Sequence, residues 1–295
     1  MRYSFILNLI ININVFINLW GQSVFDYMNQ ELPGNTPVEF YPCNDSSLSK
    51  AHSSPAFSPL GGEVYWAVWP KSMNFNDPQQ IVYSIKKDGK WTKPSTAFFS
   101  GEYSDMHPSF TADGKKLFFT SNRPINNEDS ILDVNIWYIE KKDKNYWDGP
   151  FLLTDIDNSG DQRFTSLAGN NNIYFVQKYE KAKLQMGIYF SPYINGQYQE
   201  PVLLPESINS GALNAIPCIS QDESFIIFMS DRRGIIGGQD LLISYYKNGN
   251  WGEPTNLGDK INTNRYETFP YLSPDNKYLF FIRDGIVYWV KFDRG

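Results

Sequence analysis

The segment HPSFTADGKKLFFTSNR (107–123) decides the fold, because its pattern returns along the chain. It joins a short strand containing a proline, a tight turn and an apolar run. The same order appears in ISQDESFIIFMSDRRG (219–234) and FPYLSPDNKYLFF (269–281), and more loosely after residues 55 and 165. The dipeptide Asp113-Gly114 suits a tight hairpin, whose central residues need positive φ. The chain therefore contains five copies of one internal repeat.

Two further sequence features complete each copy of the repeat. An apolar run such as VNIWYI (134–139) comes third, and a motif of the type WTKP (91–94), WDGP (147–150), YQEP (198–201) or WGEP (251–254) comes fourth. Successive prolines of this motif lie 56, 51 and 53 residues apart. Four strands in a period of about 40 to 50 residues are typical of a propeller blade. The sequence predicts an all-β fold, a five-bladed β-propeller of four-stranded blades.

The ring is predicted to close through the N-terminus. The fifth copy stops at Gly295 without a fourth strand, whereas residues 36–42 (TPVEFYP) resemble EPVLLP (200–205) in the fourth strand of copy three. We therefore expect the N-terminal strand to pair into the last blade. Residues 36–295 then form a single propeller domain, preceded by a linker over 22–35. A β-sandwich is the alternative fold, but it does not explain a five-fold repeat.

The first 21 residues differ from the rest of the chain. Arg2 is their only charge, residues 4–20 are mostly apolar, and Gly21 ends the stretch. This order predicts a secretory signal peptide over 1–21 and a periplasmic or secreted protein. An uncleaved anchor or a buried N-terminal helix is the alternative, although four asparagines weaken a membrane span. After cleavage we expect no membrane insertion.

Composition excludes several classes of function. The chain has 26 basic and 32 acidic residues, a net charge of -6, which argues against a nucleic-acid partner. Two histidines and two cysteines exclude a three-histidine metal site, a disulfide scaffold and a cysteine-rich zinc site. Cys43 and Cys218 belong to different blades and are expected to be free thiols. Residues 155–166 begin like a calcium loop, but Ser166 replaces the bidentate glutamate. No metal or cofactor is predicted, and the chain is expected to be a monomer.

The repeats resemble the WD40-like repeats of TolB-type propellers, which are common in exported bacterial proteins. The resemblance rests on residues 107–123, 219–234 and 269–281, and it covers roughly residues 36–290. SPLGGEVYW (58–66) and LAGNNNIYF (167–175) depart from it, since both lack the Asp-Gly turn. The resemblance implies a periplasmic binding or scaffold role, although propellers host many functions. The chain has no Gly-x-Ser-x-Gly elbow, which excludes a prolyl-peptidase-like arrangement.

One face of the propeller is predicted to carry the binding site. The long polar segments 69–80, 121–134, 177–186 and 230–240 all join the second strand of a blade to the third, so they open on the same face. We take one residue of the first strand as the reference position of each copy: Pro55, Pro108, Thr165, Pro217 and Pro270. A polar residue lies three positions before each of them: His52, Asp105, Gln162, Asn214 and Glu267. Simple alternation places them at the channel mouth, on the side of the small residues that follow the reference position.

Three more residues are candidates for ligand binding at this mouth. Arg123 and Arg232 share one repeat position, and an arginine can fork onto a carboxylate or phosphate. His107 precedes Pro108 and is the third. The alternative is that the polar residues are solvated loop ends and the arginines pair within the structure.

Two function classes stay open. The first is a non-enzymatic binding or scaffold module for a protein, a peptide or a cell-envelope glycan. The second is a carbohydrate-active enzyme of the glycoside hydrolase type, in which Asp105 and Glu267 would form the carboxylate pair. A metal-dependent lyase is disfavoured by the scarcity of histidines.

Overall fold

A computed structural model describes residues 25–43, 49–72, 74, 77–126, 133–143, 146–156, 160–178, 186–210 and 213–293. Its strands form five antiparallel sheets, arranged as the blades of a propeller, which confirms the predicted fold class. The proposed signal peptide lies outside the described residues. In the part of the chain that is described, no helix is both long and apolar enough to cross a membrane.

Each blade runs from an innermost strand A to an outermost strand D. In order A to D, blade 1 has Ala56–Phe57, Glu63–Val68, Gln80–Lys87 and a divided D strand, Lys90–Trp91 with Ser95–Thr96; blade 2 has Asp105–Phe110, Lys116–Ser121, Asn135–Asp143 and Tyr146–Leu152. Blade 3 has Gln162–Leu167, Ile173–Lys178, Met186–Ser191 and Val202–Leu203; blade 4 has Asn214–Ile219, Phe225–Ser230, Asp240–Lys247 and a divided D strand, Asn250–Trp251 with Thr255–Asn256. Blade 5 has Glu267–Leu272, Tyr278–Arg283, Ile286–Lys291 and Val38–Glu39. A small hairpin, Tyr193–Ile194 with Gln197–Tyr198, and a short 3-10 helix, Tyr41–Cys43, complete the described elements.

Tight turns join strand C to strand D, as the sequence predicts. Asp88 and Gly89 have φ angles of 49° and 77°, and Asn248 and Gly249 have 53° and 83°. Both central residues of each turn are therefore left-handed, the conformation that suits a two-residue hairpin between twisted strands. The D strands that follow are mostly short, and in blades 1 and 4 they are interrupted near the proline, which cannot donate to the ladder.

The N-terminal strand closes the ring. Val38 pairs with Trp289 and Glu39 with Tyr288, so the outermost strand of blade 5 comes from the other end of the chain. The adjacent Phe40 is fully buried, and its amide donates to the carbonyl oxygen of Val287 at 2.8 Å. This closure confirms the predicted ring.

The segment expected to be a linker also packs against the ring. Tyr27 is 2% exposed, and its ring lies 5.2 Å from the ring centroids of both Phe57 in blade 1 and Tyr278 in blade 5. Its hydroxyl donates to a carboxylate oxygen of Asp275 at 2.8 Å. Residues near the start of the described chain therefore add core contacts between the first and last blades.

The two cysteines are separate buried thiols, as predicted. Cys43 packs in the cluster at the ring closure, and Cys218 packs in a second cluster with residues of blades 3, 4 and 5. Burial raises the pKa of the Cys218 thiol to about 12 and that of Cys43 well above its usual value. Both thiols are therefore protonated, and weak nucleophiles, at neutral pH.

Candidate functional site

A β-bulge interrupts the innermost strand of four blades. The pairing register shifts between Met106 and Ser109 in blade 2, and at the same repeat position in blades 3, 4 and 5. In each bulge the residue before the reference position has positive φ, between 53° and 60°: His107, Phe164, Ile216 and Phe269. A bulky residue in this region is strained, so its recurrence shows that the surrounding strands impose it.

The bulge overturns one sequence prediction. Alternation placed Asp105 and Ser109 on the same side of strand A. Asp105 pairs with Ser121, whereas Ser109 pairs with Phe118. Ser121 and Phe118 lie three residues apart on a regular strand, so they face opposite sides of the sheet. The extra residue of the bulge therefore turns Asp105 away from the side that Ser109 occupies.

Asp105 is fully buried and bound to an arginine of its own blade. The Nη2 atom of Arg123 donates to Asp105 Oδ1 at 2.6 Å, and the same guanidinium donates to Ser121 and to the carbonyl oxygen of Phe99. Burial raises the pKa of the Asp105 carboxyl, and the charge of Arg123 opposes this rise. The pair ties the start of strand A to the loop from the preceding blade.

Blades 4 and 5 repeat this arrangement. Arg232 donates to Asn214 Oδ1 at 2.8 Å and also to the carbonyl oxygens of Ser207 and Ile208. Arg283 donates to Glu267 Oε1 at 2.7 Å. The observed contacts support the structural alternative for these predicted site residues, and ligand contact by them stays a prediction. Gln162 is likewise buried.

Aromatic side chains fill the propeller axis. The His107 ring lies 4.4 Å from the ring of Phe164 and stacks on Phe269 at 5.3 Å. His52 lies 5.3 Å from His107 and packs against Trp69 at 4.1 Å. Of the predicted site residues, the structure thus brings the two histidines together at the axis. We call His52, Trp69, His107, Arg163, Phe164 and Phe269 the axial cluster.

The hydrogen bonds of His107 favour one tautomer. Its Nδ1 lies 3.1 Å from the hydroxyl oxygen of Thr120, and that oxygen lies 3.4 Å from the carbonyl oxygen of Met106. If the hydroxyl donates to Met106, Nδ1 carries the ring hydrogen and Nε2 is an acceptor. Nε2 is buried and has no partner among the described residues. A buried acceptor without a partner is costly unless something binds to it.

Arg163 adds a donor and a positive charge near both histidines. Its Nη2 donates to Asp161 at 3.3 Å, while its buried Nε has no partner in the described structure. Burial lowers the pKa of His52 to about 4, and it also lowers the pKa of His107 well below its usual value. The charge of Arg163 acts in the same direction on both. Both imidazoles are therefore neutral at pH 7.

The axis narrows on the side of the A–B turns. A cavity of about 80 Å³ lies there, lined by small residues such as Ser109 and Ser166 and by the turn residues Pro59, Gln221 and Pro274. This volume holds only a few water molecules. His107, Phe164 and Phe269 of the axial cluster also line this cavity.

Sequence reasoning missed Arg163 and the aromatic members of the cluster. The signal was present in HPSF, FTSL, IPCI and FPYL, because a large residue precedes the reference position in four copies. In the segment tested as a calcium loop, Asp155 accepts from the amide of Tyr198 and Asp161 from that of Val134. Among the described residues, no three His, Cys, Asp or Glu side chains cluster as a metal site would need.

Comparisons with known proteins support the fold. No family model and no curated protein matches the chain. A TolB of Agrobacterium tumefaciens matches with a TM-score of 0.52 at 14% identity, covering 78% of this chain and 69% of that one. A thermostable family-43 glycoside hydrolase matches with a TM-score of 0.50 at 13% identity, covering 79% and 88%. At such identities the likeness shows the propeller fold alone.

A third match has a lower TM-score. A puromycin-hydrolyzing peptidase of Mycobacterium tuberculosis matches with a TM-score of 0.45 at 15% identity, over 70% of this chain. The chain spans only 29% of that peptidase. Because propellers host many functions, the function of this chain must be argued from its own site.

Proposed function

We propose that this chain is an exported binding module that recognises a sugar unit of a cell-envelope glycan at the axial cluster, without catalysing a reaction. The observation that carries the proposal is the buried Nε2 of His107, which has no hydrogen-bond partner among the described residues. Export rests on the sequence of residues 1–21.

The chemistry of the axial cluster favours a sugar among the partners that the sequence leaves open. His107 Nε2 offers an acceptor, and Arg163 Nε offers a donor. A hydroxyl group can donate to the first and accept from the second, and a sugar carries several hydroxyls side by side. A carboxylate could not donate to the neutral imidazole. Phe164 and Phe269 supply apolar ring surface of the kind that lines small-molecule sites.

A carbohydrate-active enzyme is the second candidate. It is supported by the raised pKa of Asp105, the direction that a general acid requires. Against it, Asp105 and Glu267 are both fully buried, and each is held by an arginine of its own blade. A glycosidase needs both carboxyl groups to face the scissile bond. The binding proposal therefore accounts for more of the observed contacts.

The experiment is a glycan array with the mature chain, followed by calorimetric titration of the best oligosaccharide. The variants Arg163→Gln and His107→Asn each remove one proposed contact, and we expect each to weaken binding by about 1–3 kcal/mol. Asparagine tolerates the left-handed backbone at position 107. Arg233→Gln is the matched control, because Arg233 is an exposed arginine beyond Arg232. If Arg163→Gln and His107→Asn bind as tightly as the parent and the control Arg233→Gln, the axial site is refuted.

The same titration separates the two candidates. The binding proposal predicts that the parent leaves the oligosaccharide intact and that Asp105→Asn and Glu267→Gln still bind it. Hydrolysis by the parent that disappears in Asp105→Asn would establish the enzyme instead.

A further inference from the structure

A groove runs between blades 1 and 2, on the face that carries their A–B and C–D turns. Its volume is about 1190 Å³, and its walls are the A–B turn and strand C of blade 1 and the outer strand of blade 2. The ion pair between Lys141 of blade 2 and Glu63 of blade 1 connects the two walls. The groove shares no residue with the axial cluster.

Large apolar side chains are exposed around this groove. Leu60, Phe98 and Tyr146 are 66%, 63% and 55% exposed. Trp147 lies beside them, half-buried, with the ammonium of Lys141 5.1 Å from its ring centroid. Single exposed apolar residues are ordinary on a monomer, but several that line one groove indicate a binding surface.

Lysines outnumber acidic residues in the lining of the groove, five to three, although the net charge of the chain is -6. Four of these lysines are ion-paired: Lys86, Lys115, Lys141 and Lys142. The side chains of Lys115 and Lys142 are 73% and 47% exposed, and their ion-pair partners, Asp113 and Glu140, lie nearby on the same blade. Exposed lysine pairs of this kind contribute little free energy, so an incoming anion can replace the partner.

The backbone around the groove does not favour an extended peptide. The outer strand of blade 2, Tyr146–Leu152, is the free edge of its sheet, and its register breaks between Asp148 and Phe151. Pro150 lies in this break and has no amide hydrogen to donate. A peptide could not add a regular strand here, so recognition must come from side chains.

We propose that this groove binds an acidic polysaccharide, a chain of sugars that carry carboxylates. The sugar rings lie against the exposed faces of Phe98 and Tyr146, and the carboxylates pair with Lys87, Lys115 and Lys142. This site is independent of the axial site, since the two share no residue and the groove would bind its ligand through charge.

The test is calorimetric titration of the mature chain with oligogalacturonate, at low and at high salt. We expect binding that weakens with salt, and a loss of about tenfold in affinity for Tyr146→Ala and for the double variant Lys87→Glu, Lys115→Glu. Tyr246→Ala with Lys247→Glu is the matched control, an exposed tyrosine–lysine pair on blade 4. The control should bind as the parent does.

Any of four results would overturn the proposal: absence of oligogalacturonate binding, an equal loss in the blade 4 control, equal binding of a neutral oligosaccharide of the same length, or equal binding of polyglutamate. The last would show a site for polyanions of any kind. Because Arg163→Gln leaves the groove unchanged, its titration with the same probe separates this site from the axial one.

Discussion

Single residues show where sequence reasoning reached the site and where it stopped. Asp105 and Glu267 were found because a polar residue recurs at one repeat position, and both lie on innermost strands as expected. Their orientation could not be predicted, because it depends on a one-residue bulge that reverses the alternation. A bulge follows from the crowding of five strands around an axis, which is a property of the assembled ring.

The buried histidines predict how stability depends on pH. The pKa of His52 is about 4 when folded, below its usual 6.5, so the unfolded chain binds protons more readily. The stabilisation of the folded state by neutral His52 is present in full above pH 6.5 and is lost as the pH falls towards 4. The loss amounts to about 3 kcal/mol for His52. Denaturant unfolding at pH 7, 5.5 and 4.5 should show a smaller decrease for His52→Gln than for the parent.

His107 acts in the same sense, because its pKa is also lowered. The double variant His52→Gln, His107→Asn should therefore show a still weaker dependence between pH 4.5 and 7. Carboxylates titrate equally in all three proteins and cancel in the comparison. Parallel curves for parent and variants would contradict the assignment of two neutral, buried imidazoles.

At the level of elements, the sequence specified the strands and turns better than the segment before them. The Asp-Gly and Asn-Gly dipeptides gave the C–D turns directly, because few other residues adopt both left-handed positions. Residues 22–35 were expected to be a linker, since they carry no repeat pattern. Tyr27 nevertheless lies in the core. A single aromatic residue that packs against two distant blades cannot be predicted from a local sequence pattern.

Tyr27 should therefore be a strong determinant of stability. Tyr27→Ala removes a buried ring and a hydrogen bond to Asp275, and we expect a loss of about 3–5 kcal/mol in the free energy of unfolding. Tyr41→Ala is the control, since Tyr41 is 63% exposed and should change stability by less than about 0.5 kcal/mol. Thermal and denaturant unfolding measure both. Equal effects would mean that residues near Tyr27 do not pack against the ring.

For the whole molecule, the repeat predicted the fold almost completely and the function only coarsely. Five similar segments can bury their faces only against one another, so the period itself implies a closed ring. The site, in contrast, is formed by positions where the copies differ: a histidine in blade 2, a phenylalanine and an arginine in blade 3, and a phenylalanine in blade 5. A repeat pattern describes what the copies share, and it therefore does not predict such differences.

Ring closure can be tested by removing the closing segment. Deleting residues 22–42 exposes the edge of Ile286–Lys291 and the faces of Trp289 and Phe57, so the truncated chain should melt earlier or aggregate. A synthetic peptide of residues 22–42, added in trans, should raise the melting temperature again by mass action. A scrambled peptide should not. Unchanged melting of the truncated chain would contradict the closure.

Blade 5 combines strands that are far apart in the sequence, which affects how the protein folds during synthesis. A ribosome releases Val38–Glu39 before its partner strand, Ile286–Lys291, which follows about 250 residues later. Pairing them requires the closure of this long loop, which is a slow, non-local step. Until then the first strand and the edge of the fifth sheet stay unpaired and prone to aggregation. We therefore expect the nascent chain to need chaperone protection until Ile286–Lys291 has been made.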